Sequence, residues 1–130
     1  MTLSPRSERY DDIYFGSNGL DEKRFVFLRG TRAESRWVGR RRFLVGELGF
    51  GTGLSALATW AAAKRHPGFV QFVSIEGHPL ERERIAAALE PFSEIASERQ
   101  RLLQLYPDQP PGPGVHHFDL ADNFALTLWV

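Results

Sequence analysis

Three glycines spaced two residues apart, Gly49, Gly51 and Gly53, separate the short apolar run RFLVGEL (42–48) from an Ala/Leu-rich stretch. Backbone freedom concentrated between two apolar segments restricts the fold sharply. The first run shows no polar–apolar alternation, which predicts a strand covered on both faces. After the glycines, Leu54, Leu57, Ala58 and Ala61 recur at i, i+3, i+4 and i+7. That spacing predicts an amphipathic helix over 53–65. Thr52 is placed to cap its start. Lys64, Arg65 and His66 sit where the helix dipole favours cations, and Pro67-Gly68 ends it. FVQFVSIE (69–76) reads as a second strand.

Strand, glycine loop, helix and strand make a βαβ unit. Parallel strands joined this way form a right-handed crossover with a ligand crevice at their carboxyl ends. Glycines there let the backbone approach a ligand, and the helix N-terminus offers N–H donors.

The remaining chain is consistent with one α/β domain, the most that 130 residues hold. Residues 1–41 read as an N-terminal extension and 42–130 as the βαβ core. The extension has a turn cluster at Gly16–Gly19 between aromatic-rich pieces, which predicts a hairpin. Phe25–Leu28 reads as a strand and 31–41 as a polar loop. Pro79 suits the first turn of a helix over 79–90. Ser93 is placed to cap another helix running to about Leu105, and YPDQPPGPG (106–114) is a loop. Residues 115–120 and 124–130 alternate as a β-hairpin turning at Asp122-Asn123.

The absence of cysteine excludes a disulfide framework and a thiolate metal site. No apolar run approaches the ~20 residues a bilayer requires, and the N-terminus lacks an apolar signal core. A soluble cytoplasmic protein with no membrane partner is the expectation. The zero net charge hides an asymmetry: residues 1–42 hold ten Lys/Arg against six Asp/Glu. The excess peaks in LRGTRAESRWVGRRR, with Arg29, Arg32, Arg36, Arg40, Arg41 and Arg42. Such a patch either meets phosphates or serves only as a solvated face. His66, His78, His116 and His117 are scattered, and the adjacent pair points to opposite strand faces. No metal site and no convincing general base follow from them.

The glycine spacing is one residue shorter than the dinucleotide fingerprint G-x-G-x-x-G. A nicotinamide-dependent oxidoreductase fragment is therefore the weaker alternative. ELGFGTG (47–53) is similar to the E/D-x-G-x-G-x-G segment of class I S-adenosylmethionine (AdoMet) methyltransferases. AdoMet has no phosphate, but its methionine part carries an ammonium that Glu47 is placed to attract. Glu76, ending the second strand, is placed to accept both ribose hydroxyls. Glu47, Gly49, Phe50, Gly51, Thr52, Gly53 and Glu76 form the expected cofactor loop and its acids.

A more specific resemblance covers roughly residues 9 to 130. YDDIYFGSNGLDEKRFVFLRG, GELGFGTGLSAL and FVSIEGHPLERE look like the methyltransferase domain of the tRNA 5-methylaminomethyl-2-thiouridine biosynthesis (MnmC) family. The resemblance implies AdoMet-dependent methylation of an aminomethyl group on a wobble uridine of tRNA. It places Glu47 and the three glycines on the methionine side and Glu76 on the ribose. Asp12, Tyr14 and Phe15 match an N-terminal motif, with Tyr14 and Phe15 expected over the pocket. Ser55 replaces the family's usual Asn, and Gly77-His78 replaces a Lys-x pair.

The family's later Gly-Asp and Asp-Gly-Phe segments have no counterpart before Val130. The expected fold is thus the N-terminal half of a Rossmann-like class I methyltransferase, with the strand at 42–48 left at an open edge. A truncated chain or an oligomer covering that edge follows as an expectation. A non-catalytic remnant of the fold is the other alternative.

Overall fold

The computed structural model describes residues 32–130. The N-terminal hairpin, the strand at 25–28, Asp12, Tyr14, Phe15 and Arg29 lie outside the described residues.

Arg42–Leu48 forms strand β1 and Phe69–Ile75 forms β2. They pair in parallel from Arg42↔Phe69 to Leu48↔Ile75. Parallel neighbours cannot be joined by a tight turn, and the glycine loop with its helix supplies the crossover. That helix, Leu54–Ala63, is preceded by the short helix α1 (Ala33–Arg36) and is therefore α2. β2 pairs on its other side with the parallel strand β4 (Phe124–Trp129). β4 in turn pairs antiparallel with β3 (Val115–Ala121), with a register shift between Asp119 and Ala121. The sheet order is β1-β2-β4-β3. Helix α3 (Arg82–Leu89) follows β2; a 3₁₀ turn (Ser93–Ile95) then runs into α4 (Ala96–Leu105).

Side-chain alternation sends Val45, Phe72, Phe118, Leu126 and Leu128 to one face, where all are buried. Trp60 of α2 stacks on Phe124 with ring centroids 5.9 Å apart, and Tyr106 stacks on Phe118 at 6.2 Å. Ile85, Leu89, Ile95 and Leu102 complete this core. Each fully buried side chain of this size contributes roughly 1.5–3 kcal/mol of transfer free energy.

The opposite sheet face carries Leu44, Leu48, Ile75 and Trp129, with Leu44 66% and Leu48 85% exposed. This corrects the expectation of cover on both faces. A continuous apolar run marks a strand but does not say on which side its neighbours lie. Here the packed helices sit on the Val45–Phe72 side, and β1 forms an edge of the described sheet.

Other local expectations also shift. Residues 31–41 are not all loop, because Ala33 and Trp37 fall one turn apart and bury together. Trp37 stacks on His66 at 5.7 Å and meets the edge of Phe43 at 6.2 Å. Helix α2 is not amphipathic: every residue from Leu54 to Trp60 is buried. Its N-cap is Gly53, in the left-handed region, and Thr52 makes no capping bond. α3 begins at Arg82, after an extended Glu81, so Pro79 precedes the helix rather than opening it. Ser93 opens the 3₁₀ turn without a side-chain cap.

The hairpin turn closes the far end of α2. Asn123 Nδ2 donates to the carbonyls of Ala63 and His66 at 3.2 and 3.1 Å. The His66 carbonyl, and the Ala63 carbonyl that already accepts from His66 N–H at 2.9 Å, thus find a donor from a segment some sixty residues away.

Candidate functional site

Where β1 and β2 end, the glycine loop folds back over the sheet. Gly49 N–H donates to Ile75 O at 2.7 Å, continuing the ladder one step beyond β1. Gly49, Gly51 and Gly53 hold φ of 87°, 59° and 86°, a region that side chains with Cβ occupy at a cost. Gly53 has a second reason to be glycine. A Cβ there would lie 2.8 Å from Phe50 Cζ. The Phe50 ring is buried beneath the loop, so Gly53 serves internal packing as well as backbone shape.

Two acids reach this loop. Glu76, the residue after β2, accepts from Gly51 N–H at 2.8 Å through Oε1 and from His78 N–H at 3.1 Å through Oε2. Its own N–H donates to Trp129 O at 2.9 Å, fixing it against the end of β4. Glu47, near the end of β1, is half-buried and receives a long 3.5 Å contact from Ser74 Oγ. Glu47 and Ser74 are partners in the β1–β2 register.

Buried hydroxyls add to the polar content. Thr52 Oγ1 and Ser55 Oγ are buried and make no hydrogen bond among the described residues. Burying a hydroxyl without a partner is unfavourable by about 1–3 kcal/mol; His66 Nε2, at the other end of the sheet, is likewise buried and unpartnered among the described residues. Tyr106 was not singled out from the sequence. Its hydroxyl donates to Leu80 O at 2.6 Å. Burial, aided by the nearby Glu76 carboxylate, raises its pKa above the usual phenol range. The only sequence signal for it was an aromatic residue at the junction of a helix and a proline-rich loop.

The structure therefore brings together Glu76, Gly49, Gly51, Gly53, Thr52 and Phe50 at one end of the sheet, with Glu47 beside them. Tyr14 and Phe15 lie outside the described residues. The histidines do not converge. His66 is buried against Trp37, His116 Nε2 lies 2.6 Å from Gly112 O, and His117 contacts Thr127 and Asp119. A groove of about 210 Å³ along β1, lined by Ala33, Arg36, Phe43, Leu44, Val45 and Gly46, is separate from this site.

Parallel strands, an intervening helix and a glycine loop at the strands' carboxyl ends make this an α/β unit of the Rossmann-like kind. No family model matches the chain. Among curated proteins it is 43% identical over 129 residues to the tRNA 5-methylaminomethyl-2-thiouridine biosynthesis bifunctional protein MnmC of Maricaulis maris, covering 96% of this chain and 22% of that protein. The proteins of the same name from Leptospira interrogans and Vibrio vulnificus are 41% and 40% identical, over 98% and 96% of the chain. Over nearly its whole length the chain matches a segment of these MnmC proteins, and it spans about a fifth of their length.

Proposed function

We propose that the chain is the cofactor-binding part of an AdoMet-dependent methyltransferase that acts on the aminomethyl group of a wobble 5-aminomethyl-2-thiouridine in tRNA. One observation carries the cofactor half of this reading: a carboxylate at the end of β2 bonded to the middle glycine of a loop held in the left-handed region. The tRNA half rests on the names of the relatives.

Each carboxylate oxygen accepts two hydrogen bonds. Glu76 uses one acceptor site on each oxygen for Gly51 and His78 and retains capacity for the two ribose hydroxyls. Glu47 supplies negative charge for the ammonium of the methionine part, with Ser74 as its tether. The three glycines leave their own positions in the loop free of side chains. When bound, AdoMet supplies an electrophilic methyl group, and the protein's contribution is to hold the acceptor amine in line with it. The described part of the chain belongs to a single Rossmann-like domain in this reading, and the protein works in the cytoplasm, where tRNA is modified. No helix among the described residues is long and apolar enough to cross a membrane.

Titration calorimetry of the chain with S-adenosylhomocysteine and, separately, with NADH tests the proposal. Saturable heat with S-adenosylhomocysteine and none with NADH is expected. The reverse pattern would assign the loop to a nicotinamide cofactor. Silence with both ligands from a folded chain would leave a non-catalytic remnant.

A further inference from the structure

Arg40, Arg41, Arg42 and Arg65 lie at the other end of the sheet. β1, β2 and β4 are parallel and start together, through Arg42↔Phe69 and Val70↔Phe124. The segments leading into them are tied to one another. Phe69 N–H donates to Arg41 O at 2.7 Å, and Val70 N–H donates to Asn123 O at 2.9 Å. Gly68 is seated so closely on the carbonyls of Arg40 and Arg41 that a Cβ there would collide with both. Residues 40–42, 65–68 and 122–123 thus form one surface. It begins where β1 starts, and the glycine loop begins where β1 ends. Six residue steps at ~3.3 Å put about 20 Å between them.

Arg40, Arg41, Arg42 and Arg65 are all exposed on that surface. Arg42 lies over the Phe69 ring at 5.9 Å, which steadies its guanidinium. Asp122 is the acid carried by the adjoining hairpin turn, and Lys64 is engaged by Glu98 at 2.7 Å. Among the described residues of these three segments, four guanidiniums against one carboxylate leave an excess of permanent positive charge.

We propose that this arginine end is a docking surface for the phosphate backbone of a folded RNA whose reacting base lies at the glycine-loop end. The proposal rests on the tRNA reading above and adds where, and how, the RNA is held. Phosphate contacts position a nucleic acid without reading its sequence, whereas the reacting base must be delivered separately. Two contact regions about 20 Å apart suit an extended, structured polyanion. A mononucleotide cannot bridge them. Arginine forks match phosphate oxygens bidentately.

The test uses the full chain and a folded, unmodified tRNA transcript. Binding is followed by fluorescence anisotropy from low to moderate salt, for the wild type and for the Arg40→Ala/Arg41→Ala/Arg65→Ala variant. Each lost phosphate contact lowers the slope of log K against log salt by about 0.9, so the triple variant's slope should be shallower by about 2 to 3. The weakening should be the same for unrelated tRNAs. The single variant Arg65→Glu repeats the test without touching the 40–42 segment. A slope unchanged in both variants, with far-ultraviolet circular dichroism intact, overturns the surface. A loss of binding to phosphatidylglycerol vesicles with tRNA binding unchanged overturns it in favour of a membrane.

Calorimetry with S-adenosylhomocysteine on the same samples keeps the two readings apart. A shallower tRNA slope alongside absent nucleoside binding sinks the cofactor assignment and leaves the surface standing. Intact nucleoside binding with an unchanged slope does the opposite.

Discussion

Glu76 Oε1 sits 2.8 Å from Gly51 N, so the end of β2 holds the turn that leaves β1. With the bond from Gly49 to Ile75, this contact joins the two strand ends across which, in the proposed reading, a nucleoside lies. Glu76 thereby shapes the loop, and in the proposed reading it also accepts from the ligand.

Substituting Glu76 tests both tasks. In Glu76→Ala the Gly51 and His78 N–H groups lose their acceptor, and S-adenosylhomocysteine should bind at least roughly tenfold more weakly, a change on the order of 1–3 kcal/mol. Glu76→Gln should be nearly as damaging. Both carboxylate oxygens accept from backbone N–H groups, so an amide places its own NH₂ against one of them. Calorimetry gives the affinity and thermal melting gives the loop's contribution to stability. Unchanged affinity in both variants would remove Glu76 from the site.

Gly49 and Gly53 separate backbone strain from steric conflict. Both hold positive φ, but a Cβ at Gly49 meets nothing within 4 Å, whereas one at Gly53 meets the Phe50 ring. Gly49→Ala should cost about 1 kcal/mol and Gly53→Ala more, within about 1–3 kcal/mol. Adding Phe50→Leu to Gly53→Ala should recover part of that difference in urea denaturation. Equal costs for the two alanines would mean that the ring gives way freely.

Acid should unfold the chain partly through Glu98. Burial pushes this carboxyl upward, but the Lys64 ammonium at 2.7 Å, its own backbone N–H and the Ser97 hydroxyl more than offset that and hold it below its ordinary value. The folded chain therefore binds fewer protons than the unfolded one near the ordinary glutamate value of about 4.3. Its stabilisation is complete above that value and is lost as pH falls through the lowered folded one. Urea midpoints measured from about pH 6 to pH 3 should drop over this window, and Glu98→Gln should flatten part of the drop. Lys64→Met leaves the carboxylate buried and unpaired, so its penalty should be largest at neutral pH and shrink as Glu98 is protonated.

The uncovered side of β1 should drive association. Leu44 and Leu48 are exposed on an edge strand of the described sheet, a pattern that templates pairing with another chain. We expect sedimentation velocity to show concentration-dependent association that Leu44→Lys/Leu48→Lys reduces. A wild-type chain that stays monomeric across concentrations and unfolds cooperatively would refute this.

Local pattern carried much of the fold. The run at 42–48, the glycines, the α2 segment and the strand at 69–75 were each readable from residues adjacent in sequence, as was the alternating hairpin. Each of these signals is a backbone preference or a short-range periodicity, which neighbouring residues encode by themselves. The family resemblance was legible for the same reason, since its motifs are contiguous.

What the sequence alone determined is therefore the βαβ order, the position of the glycine loop and the two acids at strand ends. Tertiary structure decided which contacts those pieces make. It tied Glu76 to Gly51, set Phe50 beneath Gly53, buried α2 all round and left one face of β1 bare. It also carried Arg40 to Arg42 and Arg65 to a shared surface far from the glycine loop. These outcomes depend on which strand lies beside which, and on which side the helices pack. Such choices are made by groups distant in sequence and close only once the chain has folded.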